Sequence, residues 1–226
     1  VVLAIIAGII AMNPYPAWAA ESSAMENFHF FETPPDANDL TVVTTDDKSL
    51  KLSELKGKVV LLNFWRQNCR YCQQEKQYLK EMMKALNTND LVVLCVDFWD
   101  RPAWVKSYAK QNPGGMVFAF QPSGYETVME NIVKGRIMGY FVLNEAKEAI
   151  YEVKGFPSTY VIDKEGKVVA AHLGMARWTD PLVLKWLSSL ITPITTAPFS
   201  PPDEYYETPS WLEHLLTGAP EAQPGR

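Results

Sequence analysis

The sequence has few cysteines and histidines, and it contains no cluster of basic residues. Three cysteines and three histidines occur among 226 residues, and His29, His172 and His214 lie far apart along the chain. The formal net charge is −5, from 21 basic and 26 acidic residues. A structural zinc site needs four ligands, usually in closely spaced pairs, and a nucleic-acid surface needs a local basic patch. We therefore expect no metal site and no nucleic-acid partner.

Apolar runs long enough to cross a membrane as a helix are also lacking. The run from Val1 to Met12 is too short for the roughly 20 residues that a spanning helix needs. It is followed by two prolines and by Ala17-Trp18-Ala19-Ala20, a small-x-small pattern where signal peptidase cuts. We predict that residues 1–20 are a signal peptide or a retained N-terminal membrane anchor, and that the protein is periplasmic or otherwise extracytoplasmic.

The composition of the chain is that of a globular protein. Hydrophobic residues make up 47%, charged residues 21% and aromatic residues 12%, which is enough to form a core and excludes wholesale disorder. The length favours one compact domain with appendages. Residues 21–39 contain Pro34 and Pro35 and are predicted to be an exposed lead-in, while residues 192–226 are predicted to be a proline-rich extension.

The hydrophobic pattern predicts an α/β fold. The near-continuous apolar run from Val59 to Trp65 is typical of a strand that is covered on both faces. A helical period begins after Cys69, and a second buried strand follows at 91–98, so the order is strand, helix, strand. The pattern also predicts hairpins at 41–52 and 160–171, a helix at 104–111 and a strand at 116–120. A last helix is predicted from about 180 to 191, with Thr179 as its N-cap and Pro181 in its first turn.

Two of the cysteines form the motif Cys69-Arg70-Tyr71-Cys72 at the junction between the buried strand and its helix. Backbone N–H groups at a helix N-terminus favour an anion, and Arg70 adds positive charge, so the Cys69 thiol should ionise readily. Cys72 lies one helical turn further on and can attack a mixed disulfide on Cys69. We predict that Cys69 is the nucleophile and Cys72 the resolving thiol, with no other cofactor. Cys95, in an apolar strand, is predicted to be a core residue.

Other roles for the cysteine pair are less consistent with the sequence. Haem attachment needs a histidine directly after the second cysteine, where Gln73 stands. A purely structural disulfide remains an alternative, although a loop this small would constrain the unfolded chain only weakly.

Several motifs together resemble the thioredoxin superfamily, and within it the exported TlpA/ResA-like thiol-disulfide oxidoreductases. They are the run from Leu55 to Trp65 that leads into C-x-x-C, the segment 151–159 with Gly155-Phe156-Pro157, and Gly174. The resemblance implies a thioredoxin-like α/β fold over residues 40–191, in which a central mixed β-sheet is flanked by helices. It also implies a cis-proline loop, before which residues 122–143 are predicted to be an insertion relative to the family, while the hairpin at 41–52 is predicted to lie at the N-terminal end of the fold.

The resemblance assigns roles in client binding to several residues. Pro157 would follow a cis peptide bond and face the disulfide, and its loop would pair with the backbone of a client; an ordinary turn proline is the alternative. The residues expected to contact the client are Trp65, Arg70, Tyr71 and Phe156, of which Phe156 has the alternative of a core aromatic.

Glu75 lies three residues after Cys72, where this family branch places a carboxylate that manages the proton of the resolving thiol. Thioredoxins proper use a buried aspartate six residues before the first cysteine, and Asn63, which cannot titrate, occupies that position. A solvated glutamate on the helix surface is the alternative. The motif departs from the family in lacking a proline at Arg70-Tyr71 and in having Asn68 in place of an aromatic residue.

These features predict a thiol-disulfide oxidoreductase that exchanges disulfides with exported protein clients. The resemblance suggests net reduction, for example in cytochrome c maturation, with electrons from a membrane donor of the thiol-reductase type and membrane association through the N-terminal segment. One alternative is a redox-inactive docking or chaperone module. Another is a peroxiredoxin-like peroxidase, although the Pro/Thr-rich approach to its cysteine is missing from residues 63–68.

Overall fold

The computed structural model describes residues 25–86, 89–97, 99–121, 140–143 and 149–192. The predicted signal peptide or anchor, most of the predicted insertion at 122–143, and the extension beyond residue 192 lie outside the described residues. Within the described ranges, no helix is both long enough and apolar enough to cross a membrane.

The described residues form one mixed sheet of eight strands and a separate two-stranded hairpin. The strands of the large sheet are β1 (Phe28–Phe30), β2 (Thr41–Thr44), β3 (Ser49–Lys51), β4 (Val59–Phe64), β5 (Leu91–Asp97), β6 (Val117–Phe120), β9 (Ser158–Ile162) and β10 (Val168–Leu173). Their order across the sheet is β1-β10-β9-β4-β5-β6-β2-β3, in which the pairs β4/β5 and β5/β6 are parallel and the other neighbours are antiparallel. The hairpin pairs β7 (Tyr140–Leu143) with β8 (Ala149–Val153).

Within the described part of the chain, three α-helices, α1 (Arg70–Leu86), α2 (Pro102–Gln111) and α3 (Pro181–Ile191), pack against one face of the sheet. Right-handed crossovers place α1 and α2 on the same face because β4, β5 and β6 are parallel neighbours in chain order. Alternate residues of β4 point to opposite faces, so Leu61 meets the helices while Leu62 meets a second core. That second core is closed by Leu40, by the 3-10 helix Leu52–Leu55 and by Tyr151 and Val153 of β8.

The predicted α/β architecture with a central mixed sheet is therefore confirmed. β4 and β5 are buried along almost their whole length, as their apolar runs indicate. One detail of the last helix was predicted wrongly. The N-cap of α3 is Asp180 and not Thr179, because the Asp180 carboxylate accepts a hydrogen bond from the backbone N–H of Leu182 at 2.9 Å. Pro181 does occupy the first turn, as predicted.

The expectation of an exposed lead-in at residues 21–39 is wrong for its central part. Phe28–Phe30 form the edge strand β1, which pairs antiparallel with β10. Phe28 and Phe30 are 1% and 4% exposed, and both rings pack edge-on against Trp186 of α3. Because these aromatic side chains close the end of the core under α3, burial of apolar area outweighs the loop-like character that the nearby prolines suggest.

Candidate active site

The disulfide Cys69–Cys72 lies at the N-terminus of α1, directly after β4 and its connecting loop. Its Cα atoms are 5.2 Å apart. The carbonyl of Cys69 accepts the first helical hydrogen bond, from Gln73, so Cys69 caps the helix. Cys69 is partly exposed, whereas Cys72 is fully buried. An external thiol can therefore reach only the sulfur of Cys69.

Backbone groups around Cys69 favour negative charge on its sulfur. The N–H of Cys72 points at the Cys69 sulfur at 3.1 Å. Together with the other free N–H groups of the first turn, it would stabilise a thiolate on Cys69 once the disulfide is reduced. The helix thus supplies the local positive potential that the sequence predicts for the first cysteine.

The loop that contains Pro157 lies beside the disulfide. The Phe156–Pro157 peptide bond is cis, as the resemblance implies. The carbonyl oxygen of Phe156 is 3.6 Å from the Cys69 sulfur, and the N–H of Gly174 donates to the carbonyl of Pro157 at 2.8 Å. Gly174 has φ +93°, a conformation that favours glycine. The contact with Gly174, directly after β10, therefore holds this loop against the cysteines.

The residues expected to contact a client fall into two groups. Arg70 and Tyr71 are exposed beside the disulfide, Tyr71 by 61%. Phe156 is half-buried, with its ring 6.5 Å from that of Trp99. Trp65, however, is fully buried against Tyr108 and Phe118. The prediction that Trp65 touches the client is wrong, because the indole is part of the core beneath α2.

Glu75 is a buried carboxylate, so the alternative of a solvated helix-surface residue is wrong. Its side chain is 0% exposed. One oxygen accepts hydrogen bonds from the Ala176 N–H at 3.1 Å and from the Trp178 indole N–H at 2.9 Å, and the other accepts from the Asn63 amide at 2.9 Å. Burial raises the pKa of Glu75, while the charge of Lys76 and the three donors act in the opposite direction.

Lys76, which is not among the residues predicted from the sequence, also belongs to this network. Lys76 is 1% exposed and donates to the side-chain oxygen of Asn63 at 2.6 Å. The amide of Asn63 then donates to both Glu75 and the hydroxyl of Thr159. Two signals in the sequence could have found it: Asn63 interrupts an apolar strand, and the pair Glu75-Lys76 occupies the apolar stripe of α1 between Cys72 and Leu79.

A second pair of buried acids supports the loop before the cysteines. Asp97, at the end of β5, accepts hydrogen bonds from the backbone N–H groups of Trp99 and Asp100, each at 2.8 Å. Asp100 in turn accepts from the N–H of Gln67 at 2.7 Å. Burial is the main cause that raises the pKa of Asp97 to about 7, and the charge of Asp100 adds to it. The pair ties β5 to the segment that leads into Cys69.

No cluster of three or more metal-binding side chains occurs among the residues that the structure describes.

A sequence model of the AhpC/TSA family matches residues 35–171, which is more than half of the chain and includes the disulfide and the cis-proline loop. The chain belongs to the AhpC/TSA family. Among curated relatives, it is 26% identical over 175 residues to the thiol-disulfide oxidoreductase ResA of Bacillus cereus, covering 77% of this chain and 85% of that protein.

Solved structures show that the AhpC/TSA chain has a thioredoxin-like fold. The thioredoxin domain of a thiol-disulfide oxidoreductase from Bacteroides vulgatus matches 71% of this chain and 99% of its own length, with 20% identity and a TM-score of 0.51. A putative protein disulfide isomerase from Bacteroides thetaiotaomicron matches 71% of this chain and 91% of its own length, with 21% identity and a TM-score of 0.53.

Curated relatives that are named thiol-disulfide oxidoreductases and the disulfide between Cys69 and Cys72 agree on the class of reaction. This AhpC/TSA member is a thiol-disulfide oxidoreductase. The resemblance to the thioredoxin superfamily and the predicted enzyme class are thereby confirmed.

Proposed function

We propose that the protein reduces disulfide bonds of exported protein clients, such as the cysteine pair of an apocytochrome c, outside the cytoplasm. A thiol-reductase donor in the membrane would return electrons to the Cys69–Cys72 disulfide. Extracytoplasmic compartments drive thiols toward disulfides, so a client that must stay reduced there needs a dedicated reductant. The predicted export signal at residues 1–20 supports this location.

The observation that carries the proposal is the unequal exposure of the two sulfurs. In the reduced enzyme, the partly exposed Cys69 thiolate attacks a client disulfide and forms a mixed disulfide, releasing one client thiolate. The buried Cys72 then loses its proton, attacks the Cys69 sulfur and releases the second client thiolate. Two electrons pass from the enzyme to the client, and the product is the disulfide form of the enzyme.

Other residues would position the client and move the proton in this scheme. Pro157 and the Phe156 carbonyl beside Cys69 would present the cis-proline loop to an extended client backbone. Arg70 and Tyr71 are exposed at the same site and would contact client side chains. Glu75, one helical turn after Cys72 on α1, would accept the proton of the resolving thiol.

The test is to trap a client on Cys69. A peptide with a Cys-x-x-Cys-His disulfide is incubated with the reduced Cys72→Ser variant and analysed on non-reducing gels. We expect a mixed disulfide between the peptide and Cys69. It should be absent from the double variant Cys69→Ser/Cys72→Ser. It should persist in the double variant Cys72→Ser/Cys95→Ala, because Cys95 is buried in β5. The same variant, expressed in cells, should trap exported proteins on a diagonal redox gel.

Two results would contradict the proposal. A clean gel together with a tight partner whose binding ignores the redox state would favour a docking or chaperone module. Rapid consumption of hydrogen peroxide without any protein client would favour a peroxidase.

A further inference from the structure

Lys76 is a cationic side chain enclosed in the core next to the redox centre. It is 1% exposed, lies on α1 one turn after Cys72, and reaches the sheet beneath the helix. Its amino group is 2.6 Å from the side-chain oxygen of Asn63 and 4.8 Å from the centre of the Trp65 ring. Because a buried charge is costly unless it is compensated, its position requires a partner of opposite charge.

Glu75 provides that opposite charge through the Asn63 amide. Asn63 accepts from Lys76 on its oxygen and donates from its nitrogen to Glu75 at 2.9 Å. The amide dipole therefore has its negative end on the ammonium and its positive end on the carboxylate, and it stabilises both charges. This bridged pair lies one helical turn from Cys72, on the same side of α1.

We propose that Lys76 is a positioning residue whose ammonium, acting through the Asn63 amide, holds Glu75 ionised and ready to take the proton of Cys72. This inference rests on the proposed role of Glu75 in the resolving step. In that step the Cys72 S–H proton moves to the Glu75 carboxylate, the Cys72 sulfur bonds to the Cys69 sulfur, and the Cys69–client bond breaks. The client sulfur leaves with the electron pair and takes a proton from water.

The surroundings of Glu75 contain no other cation among the groups that the described structure places against it. β4, β9 and the segment after β10 contribute uncharged partners, and β5 contributes a thiol. Burial raises the pKa of the Cys95 thiol to about 11, so it is neutral at physiological pH. The groups that act on the carboxylate are Asn63, Lys76, Ala176 and Trp178, the Cys95 thiol interacts with it electrostatically, and Thr159 contacts Asn63.

The proton-transfer role requires an ionised carboxylate at the pH of the reaction. Burial raises the pKa of Glu75 and so favours the protonated carboxyl, which cannot accept the Cys72 proton. The positive charge of Lys76 lowers the pKa of Glu75 and so counteracts the effect of burial. Removing the charge should leave the first attack by Cys69 intact and slow only the release of the mixed disulfide.

The two steps can be observed separately with 5,5′-dithiobis(2-nitrobenzoate). Attack by Cys69 on this disulfide releases one coloured thiolate, and resolution by Cys72 releases the second. Stopped-flow measurements from about pH 5 to about pH 9 then give a pH profile for each phase. The wild-type enzyme is compared with variants Lys76→Met, Lys76→Gln and Lys76→Arg, and with Lys84→Met, which removes an exposed charge from the same helix.

For Lys76→Met and Lys76→Gln we expect the pH profile of the second phase to move upward by at least about one pH unit, a tenfold slower release on its acidic side. Lys76→Gln keeps a donor for Asn63, so it removes the charge alone and remains decisive if Lys76→Met does not fold. Lys76→Arg should restore the wild-type profile, and Lys84→Met should not change it. A wild-type profile for Lys76→Gln would overturn the inference.

The variant Glu75→Gln separates failure of this inference from failure of the proposed role of Glu75, and trapping of a client on Cys69 tests the proposed function independently of both. If Glu75→Gln slows the second phase and Lys76→Gln does not, Glu75 acts without Lys76 and only the inference is wrong. If Glu75→Gln has the wild-type second phase, Glu75 has no part in resolution, and both the inference and the proposed role of Glu75 are wrong, whereas a missing second phase in the wild-type enzyme would contradict the proposed function itself. Titration of the ¹³C-labelled Glu75 carboxyl by NMR gives an independent readout, in which Lys76→Gln should raise the midpoint.

Discussion

Replacing Asp97 with asparagine should change how the stability of the protein depends on pH. Asp97 is 0% exposed, and burial together with the charge of Asp100 raises its pKa from 3.8 to about 7. Between these values the folded state binds a proton that the unfolded chain releases, so the free energy of unfolding falls as the pH rises. The stabilisation that the Asp97 proton gives the folded state is greatest below about pH 4 and is lost by about pH 7.

The size of the effect follows from the same pKa values. One pH unit of difference corresponds to about 1.4 kcal/mol, so Asp97 should lower the free energy of unfolding by about 2 to 3 kcal/mol between pH 5 and pH 7. Asparagine resembles the protonated acid, because its side-chain oxygen can still accept from the Trp99 and Asp100 N–H groups. Asp97→Asn should therefore lose much less stability over this range than the wild type.

Urea unfolding of the oxidised protein at several pH values between about 5 and 8 measures this difference. The control is Asp90→Asn, because Asp90 is an exposed carboxylate 2.8 Å from Lys164. Its pKa is lowered by that partner, so its stabilising effect is lost only when the pH falls below this range. The reasoning is refuted if Asp97→Asn keeps the wild-type slope, or if its stability relative to the wild type is lower at pH 8 than at pH 5.

Two further predictions concern packing and capping. Phe28→Ala removes a ring that packs against Trp186, so urea unfolding should show a loss of about 3 to 5 kcal/mol, whereas a loss near zero would mean that β1 is dispensable. Asp180→Ala removes the acceptor for the Leu182 N–H and should cost about 1 kcal/mol. Thr179→Ala should cost less than about 0.5 kcal/mol, and equal losses at the two positions would contradict the assignment of the cap.

The predicted elements that depend on local pattern agree with the structure. β4, α1 and β5 follow from apolar runs and a helical period, and the hairpin of β9 and β10 follows from a turn at Gly166 between two apolar segments. Prediction failed at the start of α3, where the sequence offers two locally suitable caps. Thr179 and Asp180 are adjacent and both suitable caps, and only the backbone path into α3 decides between them.

The sequence by itself determined the central chemistry of this protein, because the order of strand, Cys69, Cys72 and helix is local and a helix N-terminus always presents free N–H groups. Only the tertiary structure decided what surrounds the cysteines. Sheet register places Cys95 and Thr159 on either side of Asn63, and α1 lays Glu75 and Lys76 over them. Burial of these groups is a property of the assembled core, and burial is what turns two ordinary charged residues of a helix into a bridged pair beside the disulfide.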